Sequence, residues 1–231
     1  MKTRIALTLL AIIAIALPLI AQSQPDWPGL ERYRAANALL ASHADTACLV
    51  VFMGNSITEY WEELNPDFFT RNNYVCRGIS GQTTYQMVVR FRQDVINLHP
   101  RAVVISAGTN DIAENTCPYD EAATMGNIVS MVELAQASGI VPIVASLLPC
   151  NRYCWNLDIE NVAEKITSLN ALLKAYATEH HLVYIDYFTP MVHSDGRSLN
   201  PAYTLDGVHP EIAGYDVMAP LAQQAIAKAL Q

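Results

Sequence analysis

Apolar residues along this chain fall into two alternating patterns. The first is a set of short unbroken runs at residues 48–53, 74–76, 102–107, 140–147 and 182–185. A strand with one wet face alternates apolar and polar side chains, whereas a strand covered on both faces stays apolar throughout. These runs therefore read as strands of a mostly parallel sheet. The second pattern is helical. Met87, Phe91, Val95 and Leu98 form one stripe, Met125, Ile128, Val132 and Ala135 a second, and Val162, Ile166, Leu169, Leu173 and Tyr176 a third. Each stripe steps by three or four residues, which keeps its members on one helical face. A first helix is predicted over residues 30–40, after the break at 25–28, and a last one over 212–229, just past Pro210. Strands alternating with helices predict an α/β fold, a three-layer α/β/α sandwich around a mostly parallel five-stranded sheet.

The start of the chain stands apart. Met1-Lys2-Thr3-Arg4 is basic, residues 5–20 are nearly all apolar, and Ala21-Gln22-Ser23 are small or polar. This is the pattern of a secretory signal peptide cleaved near Ser23. A retained membrane anchor is the alternative, but the run is short for a span of about 20 residues. No Cys follows the run, which argues against a lipoprotein anchor at that junction. The organisation expected is a signal peptide over 1–23 and one domain over 24–231, exported to the periplasm or secreted, with no stable membrane insertion afterwards. Losing Lys2 and Arg4 lowers the basic count from 14 to 12 against 22 acidic residues, and the net charge from −8 to −10. An acidic chain without a basic run is poorly suited to nucleic acid or anionic lipid. An exported chain can form disulfides. Cys48 and Cys76 lie in apolar runs and read as core residues, and one bridge is expected among Cys117, Cys150 and Cys154. A zinc site at Cys150 and Cys154 lacks a nearby His to complete it. Their C-x-x-x-C spacing also differs from the redox C-x-x-C.

In a parallel α/β sheet, sites form beyond the carboxyl ends of the strands. Ser56 follows the first predicted strand, Gly81 the second, residues 108–111 the third and 151–155 the fourth. Far along the chain lies Asp206-Gly207-Val208-His209-Pro210. A serine hydroxyl needs a base to take its proton as it attacks. A neutral imidazole, with an unperturbed pKa of about 6.5, suits that task. A carboxylate on its other nitrogen fixes the tautomer. Asp206 and His209 are spaced for a tight turn to set them side by side, although a plain surface turn with a helix cap would read the same way. A tetrahedral oxyanion would need donors. The candidates are the backbone N–H groups of Ser56 and Gly81 and the side-chain amide of Asn110.

Gly54-Asn55-Ser56-Ile57-Thr58 lacks the second glycine of the G-x-S-x-G elbow, which argues against an ordinary α/β-hydrolase. The four segments around Ser56, Gly81, Asn110 and His209 instead resemble, in order, the four blocks of the SGNH (GDSL-type) esterase/acylhydrolase family, with Asp206 matching its usual triad acid. The resemblance spans roughly residues 51–214. It implies a flavodoxin-like SGNH-hydrolase fold, acylation of Ser56, His209 as base and then acid, and an oxyanion hole of Ser56, Gly81 and Asn110. No metal or organic cofactor is implied. Asn55 departs from the family, which commonly has Asp there; an amide keeps the acceptor and loses the charge. The expected function is a serine esterase acting on a small-molecule or carbohydrate ester, with short acyl groups such as acetate favoured. A lysophospholipase or thioesterase for longer chains, or a non-catalytic carbohydrate-binding relative, are the alternatives. Trp155 and Tyr85 are candidate substrate contacts, and packing roles read equally well. Oligomeric state is open.

Overall fold

The computed structural model describes residues 26–42 and 50–231. Within them the strands are β1 (Val50–Gly54), β2 (Tyr74–Gly78), β3 (Ala102–Ile105), β4 (Val141–Ala145) and β5 (Val183–Ile185). All neighbours are parallel and the order is β2-β1-β3-β4-β5. The helices are α1 (Arg34–Ser42), α2 (Ser56–Leu64), α3 (Pro66–Asn72), α4 (Thr84–Asp94), α5 (Thr109–Ile112), α6 (Glu121–Ala137), α7 (Val162–Glu179), α8 (Phe188–Met191) and α9 (Ile212–Ala229). The predicted runs mark the observed strands to within two residues at most ends. The Cys48 end of the first run, His43 and the leader lie outside the described residues.

Successive strand residues point to opposite faces, and each face has its own buried layer. Val51, Met53, Val103, Ile105 and Val144 pack with Met87 and Phe91 of α4, Ile128 and Val132 of α6, and Ile166 and Leu169 of α7. Val50, Phe52, Ala102, Val104 and Ile143 pack with Trp61, Phe68, Phe69, Tyr215 and Met218. The sheet is thus covered on both sides, which is why its strands do not alternate. The first predicted stripe outlives its helix: α4 ends at Asp94, and Leu98 is buried from a 3-10 turn over Ile96–Leu98.

Helices α2 and α3 have no counterpart among the predicted stripes. They are short, and what they bury is aromatic. Trp61 stacks on Phe68 with ring centroids 4.5 Å apart and on Tyr215 at 5.3 Å, and meets Phe52 edge-on at 5.7 Å. One indole thereby joins β1, α2, α3 and α9. Between α2 and α3, Asn65 ends one helix and caps the next, its side chain accepting from Phe68 N–H at 3.2 Å, and Pro66 opens α3.

The first helix begins at Arg34, not near residue 30. Asp26 accepts from the N–H groups of Leu30 and Glu31 at 2.9 and 2.7 Å, which holds the preceding residues in turns. This segment packs on the domain. Asn37 donates to Asp94 Oδ1 at 2.7 Å and accepts from the Arg77 guanidinium at 2.9 and 2.6 Å, and that guanidinium lies over the Tyr33 ring. Beneath it Arg90 is fully buried. Its guanidinium donates to Gly54 O (3.0 Å), Arg77 O (2.9 Å), Gln82 Oε1 (2.6 Å) and Asp94 Oδ2 (3.0 Å). No helix among the described residues is long and apolar enough to cross a membrane.

Removing the Trp61 indole opens a cavity shared by four elements. Trp61→Ala is expected to cost about 3–5 kcal/mol of stability, read from the urea midpoint of the purified chain; a loss under about 1 kcal/mol would show that the aromatic layer closes over the gap.

Candidate active site

The sheet order reverses between β1 and β3, and the loops after those strands part there, leaving a crevice at the carboxyl edge. Ser56 stands on one side and Asn110 on the other. Gly54 ends β1 because a side chain would not fit: a Cβ there would lie 2.0 Å from Thr58 Oγ1 and 3.1 Å from Ser106 O. Helix α2 can therefore start immediately beyond the strand. Asn55 is its N-cap, with Oδ1 accepting from Ile57 N–H at 3.0 Å. The residue that departs from the family pattern thus keeps the acceptor that the position uses. Ser56 is the first helical residue, so its N–H is one of those a helix leaves without an internal acceptor.

His209 arrives from the far end of the chain. The loop before α9 is closed by a bridge between Thr204 and Pro210 and by Glu211 N–H to Tyr203 O at 2.7 Å. Inside it Asp206 Oδ1 accepts from the N–H groups of Val208 and His209, both at 2.8 Å. Asp206 Oδ2 lies 2.6 Å from His209 Nδ1, and His209 Nε2 lies 2.8 Å from Ser56 Oγ. Burial works to raise the Asp206 carboxyl, but the hydrogen bonds from His209 and Val208 outweigh it and hold the group below the ordinary carboxylate range.

The opposite wall is built from the second and third segments. Gly81 has φ +77, a left-handed conformation that glycine adopts without strain. Asn110 is buried and spends one amide proton on Gln82 O at 3.0 Å, with a second available. Asp111 accepts from Thr84 N–H at 3.1 and 3.0 Å and from its hydroxyl, so the loop after β3 caps the start of α4. Burial raises the Asp111 carboxyl above its usual value, against these bonds.

Ser56, Gly81, Asn110 and His209 line one cleft of about 220 Å³ together with Tyr60, Ser80, Asn115 and Trp155. A larger hollow, about 540 Å³, lies at the amino ends of β4 and β5, away from this chemistry. The Tyr60 and Trp155 rings flank His209 at 5.1 and 6.1 Å. Trp155 is held by Asn115, which accepts from its Nε1 at 3.0 Å and donates to Gly81 O at 3.1 Å. Tyr60, Ser80 and Asn115 were not singled out from the sequence; Tyr60 and Ser80 are neighbours of motif residues, and that adjacency was the one signal available.

Tyr85, in the first turn of α4, is not among the residues that line this cleft. One expectation, the cysteine bridge, is corrected here. No bridge joins Cys117, Cys150 and Cys154; all three are free thiols. Cys150 is turned inward, donating to Arg152 O at 3.0 Å, and burial pushes its thiol up to about 12, while the other two face solvent. Tyr153 is wholly buried and is a packing residue. His99, His180 and His181 are exposed, and His193 pairs loosely with Asp195. Among the described residues no group of His, Cys, Asp and Glu is arranged to hold a metal ion.

Fold and edge together define the class, that of the parallel α/β SGNH-type hydrolases. The chain belongs to the GDSL-like lipase/acylhydrolase family, whose model matches residues 52–217. It is 51% identical to a GDSL-like lipase from Bacteroides thetaiotaomicron VPI-5482, over 89% of this chain and 100% of that one, with a TM-score of 0.86. It is 55% identical to a proposed acylhydrolase from Bacteroides fragilis NCTC 9343, over 90% and 100%, with a TM-score of 0.87. An acetylxylan esterase from Geobacillus stearothermophilus, at 18% identity, 77% and 93% coverage and a TM-score of 0.61, shares the fold. The uncharacterized lipoprotein YqeF of Bacillus subtilis (strain 168) is 35% identical over 75 residues, so the match spans 31% of this chain and 31% of that relative.

If the Asn55 carbonyl is what the first turn of α2 requires, Asn55→Ala should lose about 0.5–2 kcal/mol of stability and Asn55→Asp should lose less. Equal urea midpoints for Asn55→Ala and wild type would remove the cap from the account.

Proposed function

We propose that the protein is an exported serine esterase that hydrolyses short acyl esters, with acetylated carbohydrate as the preferred substrate class. One observation carries the reading: the continuous hydrogen-bonded chain Ser56 Oγ, His209 Nε2, His209 Nδ1, Asp206 Oδ2, at 2.8 and 2.6 Å, at the carboxyl edge of the sheet. As Ser56 Oγ attacks the ester carbonyl carbon, its proton passes to His209 Nε2, and Asp206 steadies the imidazolium. The carbonyl oxygen becomes an oxyanion received by Ser56 N–H, Gly81 N–H and the Asn110 amide. Collapse breaks the ester C–O bond, and the leaving alkoxide takes the proton from Nε2. Water then attacks the acyl-serine with His209 again as base, releasing the acid and restoring Ser56.

The cleft supports the short-acyl part. Its volume lies below the range of about 300–1,000 Å³ common for drug-sized ligands. Trp155, 43% exposed, and Tyr60 offer ring faces beside His209, suited to the apolar C–H face of a sugar. One observation favours longer chains: Leu205 and Leu157, neighbours in sequence of Asp206 and of the Trp155 loop, stand 88% and 71% exposed. The leader-like start of the chain, and the lipoprotein name of YqeF, support export.

The test is a p-nitrophenyl ester series from acetate to palmitate with wild type, Ser56→Ala and His209→Ala. Wild type should turn over acetate best, and each variant should lose on the order of 10⁶-fold in kcat, because triad members act as a unit. Comparable rates for wild type and His209→Ala would refute the triad, and a palmitate optimum would select the long-chain reading.

The pH profile follows from the same groups. His209 must be neutral to accept the proton, so log kcat/KM should rise with pH on the acid side and then level. Asp206, held below the ordinary carboxylate range, is ionised throughout this window and should add no second step. A flat profile from pH 5 to 8 would exclude a histidine base.

A further inference from the structure

The loop that carries Gly81 is loosely packed at its tip. A Cβ at Gly81 would meet only Asn115 Nδ2, at 3.9 Å. Asn115 holds the tip through its bond to Gly81 O at 3.1 Å, and a second brace lies one residue earlier. Ser80 donates its N–H and its hydroxyl to Glu59 Oε2, at 2.7 and 2.5 Å. Glu59 sits on α2, one turn past Ser56, with its side chain 13% exposed. Its other oxygen, Oε1, accepts from Arg32 Nη2 at 2.6 Å. Burial works to raise the Glu59 carboxyl, but the bonds from Ser80 and Arg32 outweigh it, so the group is a carboxylate at neutral pH.

Arg32 belongs to the segment before α1, outside residues 52–217, which match the family. That segment meets the Gly81 loop repeatedly. Tyr33 donates its hydroxyl to Gly78 O. Gln82 donates to Pro28 O at 2.8 Å and Gln86 to Trp27 O at 2.7 Å. Gly29 comes so close that a Cβ there would stand 3.0 Å from Gln82 Nε2 and 3.1 Å from Ile79 Cδ1. Asp26, bonded to Leu30 and Glu31 N–H, keeps the segment in shape. Residues 26–33 are therefore fitted to residues 78–86, and to little else that bears on the cleft.

We infer that Glu59 is a positioning residue for the Gly81 oxyanion donor, and that the 26–33 segment, through Arg32, anchors it. The inference rests on the esterase reading for the role of Gly81, but the brace itself is a physical property of the free protein. Glu59 does not line the cleft, so its loss should act on an interaction made in the transition state and not on substrate binding. Misplacing an oxyanion donor by a fraction of an ångström removes part of a contribution worth about 10²–10³ in kcat.

The experiment compares wild type with Glu59→Ala, Glu59→Gln and Arg32→Ala in two measurements: kcat and KM on p-nitrophenyl acetate, and amide hydrogen exchange without substrate. Glu59→Ala should lower kcat at least tenfold with KM within twofold, and should speed exchange selectively at residues 79–82. Glu59→Gln keeps an acceptor oxygen for Ser80 and should recover most of the rate. Arg32→Ala, a half-exposed change that leaves the core intact, should shift both readouts the same way by less. Unchanged exchange at 79–82 in Glu59→Ala, or kcat within twofold of wild type, overturns the inference, as does faster exchange spread evenly over the chain. Should wild type hydrolyse no ester, the catalytic reading fails while the exchange data still decide the brace.

Discussion

The structure turns on one buried cation. Arg90 has no exposed surface, and a guanidinium taken from water is tolerable only when paired and hydrogen-bonded. Asp94 supplies the charge, one helical turn away, and Gly54 O, Arg77 O and Gln82 Oε1 supply the acceptors. Gly54 O is the last carbonyl of β1, and Arg77 O is the penultimate one of β2. They can satisfy Arg90 only if β1 and β2 end level with each other and with α4. Ser56 lies two residues beyond Gly54, and Gly81 one residue before Gln82. The separation between proposed nucleophile and proposed oxyanion donor is thus set from beneath by a network that leaves little room to slip.

Other parts of the site are held by the same logic, in which a buried polar group recruits the loop that satisfies it. Asp111 caps α4 and so ties the loop after β3 to the segment after β2. Asn110 reaches Gln82 O, and Asn115 spans Gly81 O and the Trp155 indole. The Asp206–His209 turn depends on the bridge that closes its own loop. The cleft is therefore made of loop residues whose positions derive from the sheet edge, a rigid base for groups that must meet within tenths of an ångström.

Much of this is legible in the sequence alone. The strands announced themselves because burial on both faces forbids polar alternation, and α9 fell at its predicted limits because Pro210 marks its approach. Other features were hidden for physical reasons. The α2–α3 pair buries aromatic rings over barely two turns each, too few for a stripe to register, and Trp61 meets Phe68 and Tyr215 only after folding. The expected cysteine bridge failed because sequence proximity says nothing of side-chain direction: Cys150 points into the core and Cys154 out of it. The same limit applies to Tyr85, since a helix turns about 100° per residue and sequence adjacency does not fix which way a side chain leaves it.

What the sequence determined by itself is the layer architecture, the edge at which polar loops gather, and the local pairing of Asp206 with His209. Each depends on burial periodicity or on residues within one turn, and both are properties of a short stretch of chain. What only the tertiary structure decided is the contact of Ser56 with His209, 153 residues apart, the burial of Arg90 beneath two strand ends, and the reach of Arg32 through Glu59 to the loop of Gly81. These depend on which strands lie side by side and on which direction a side chain leaves its element, and neither is fixed until the sheet has closed.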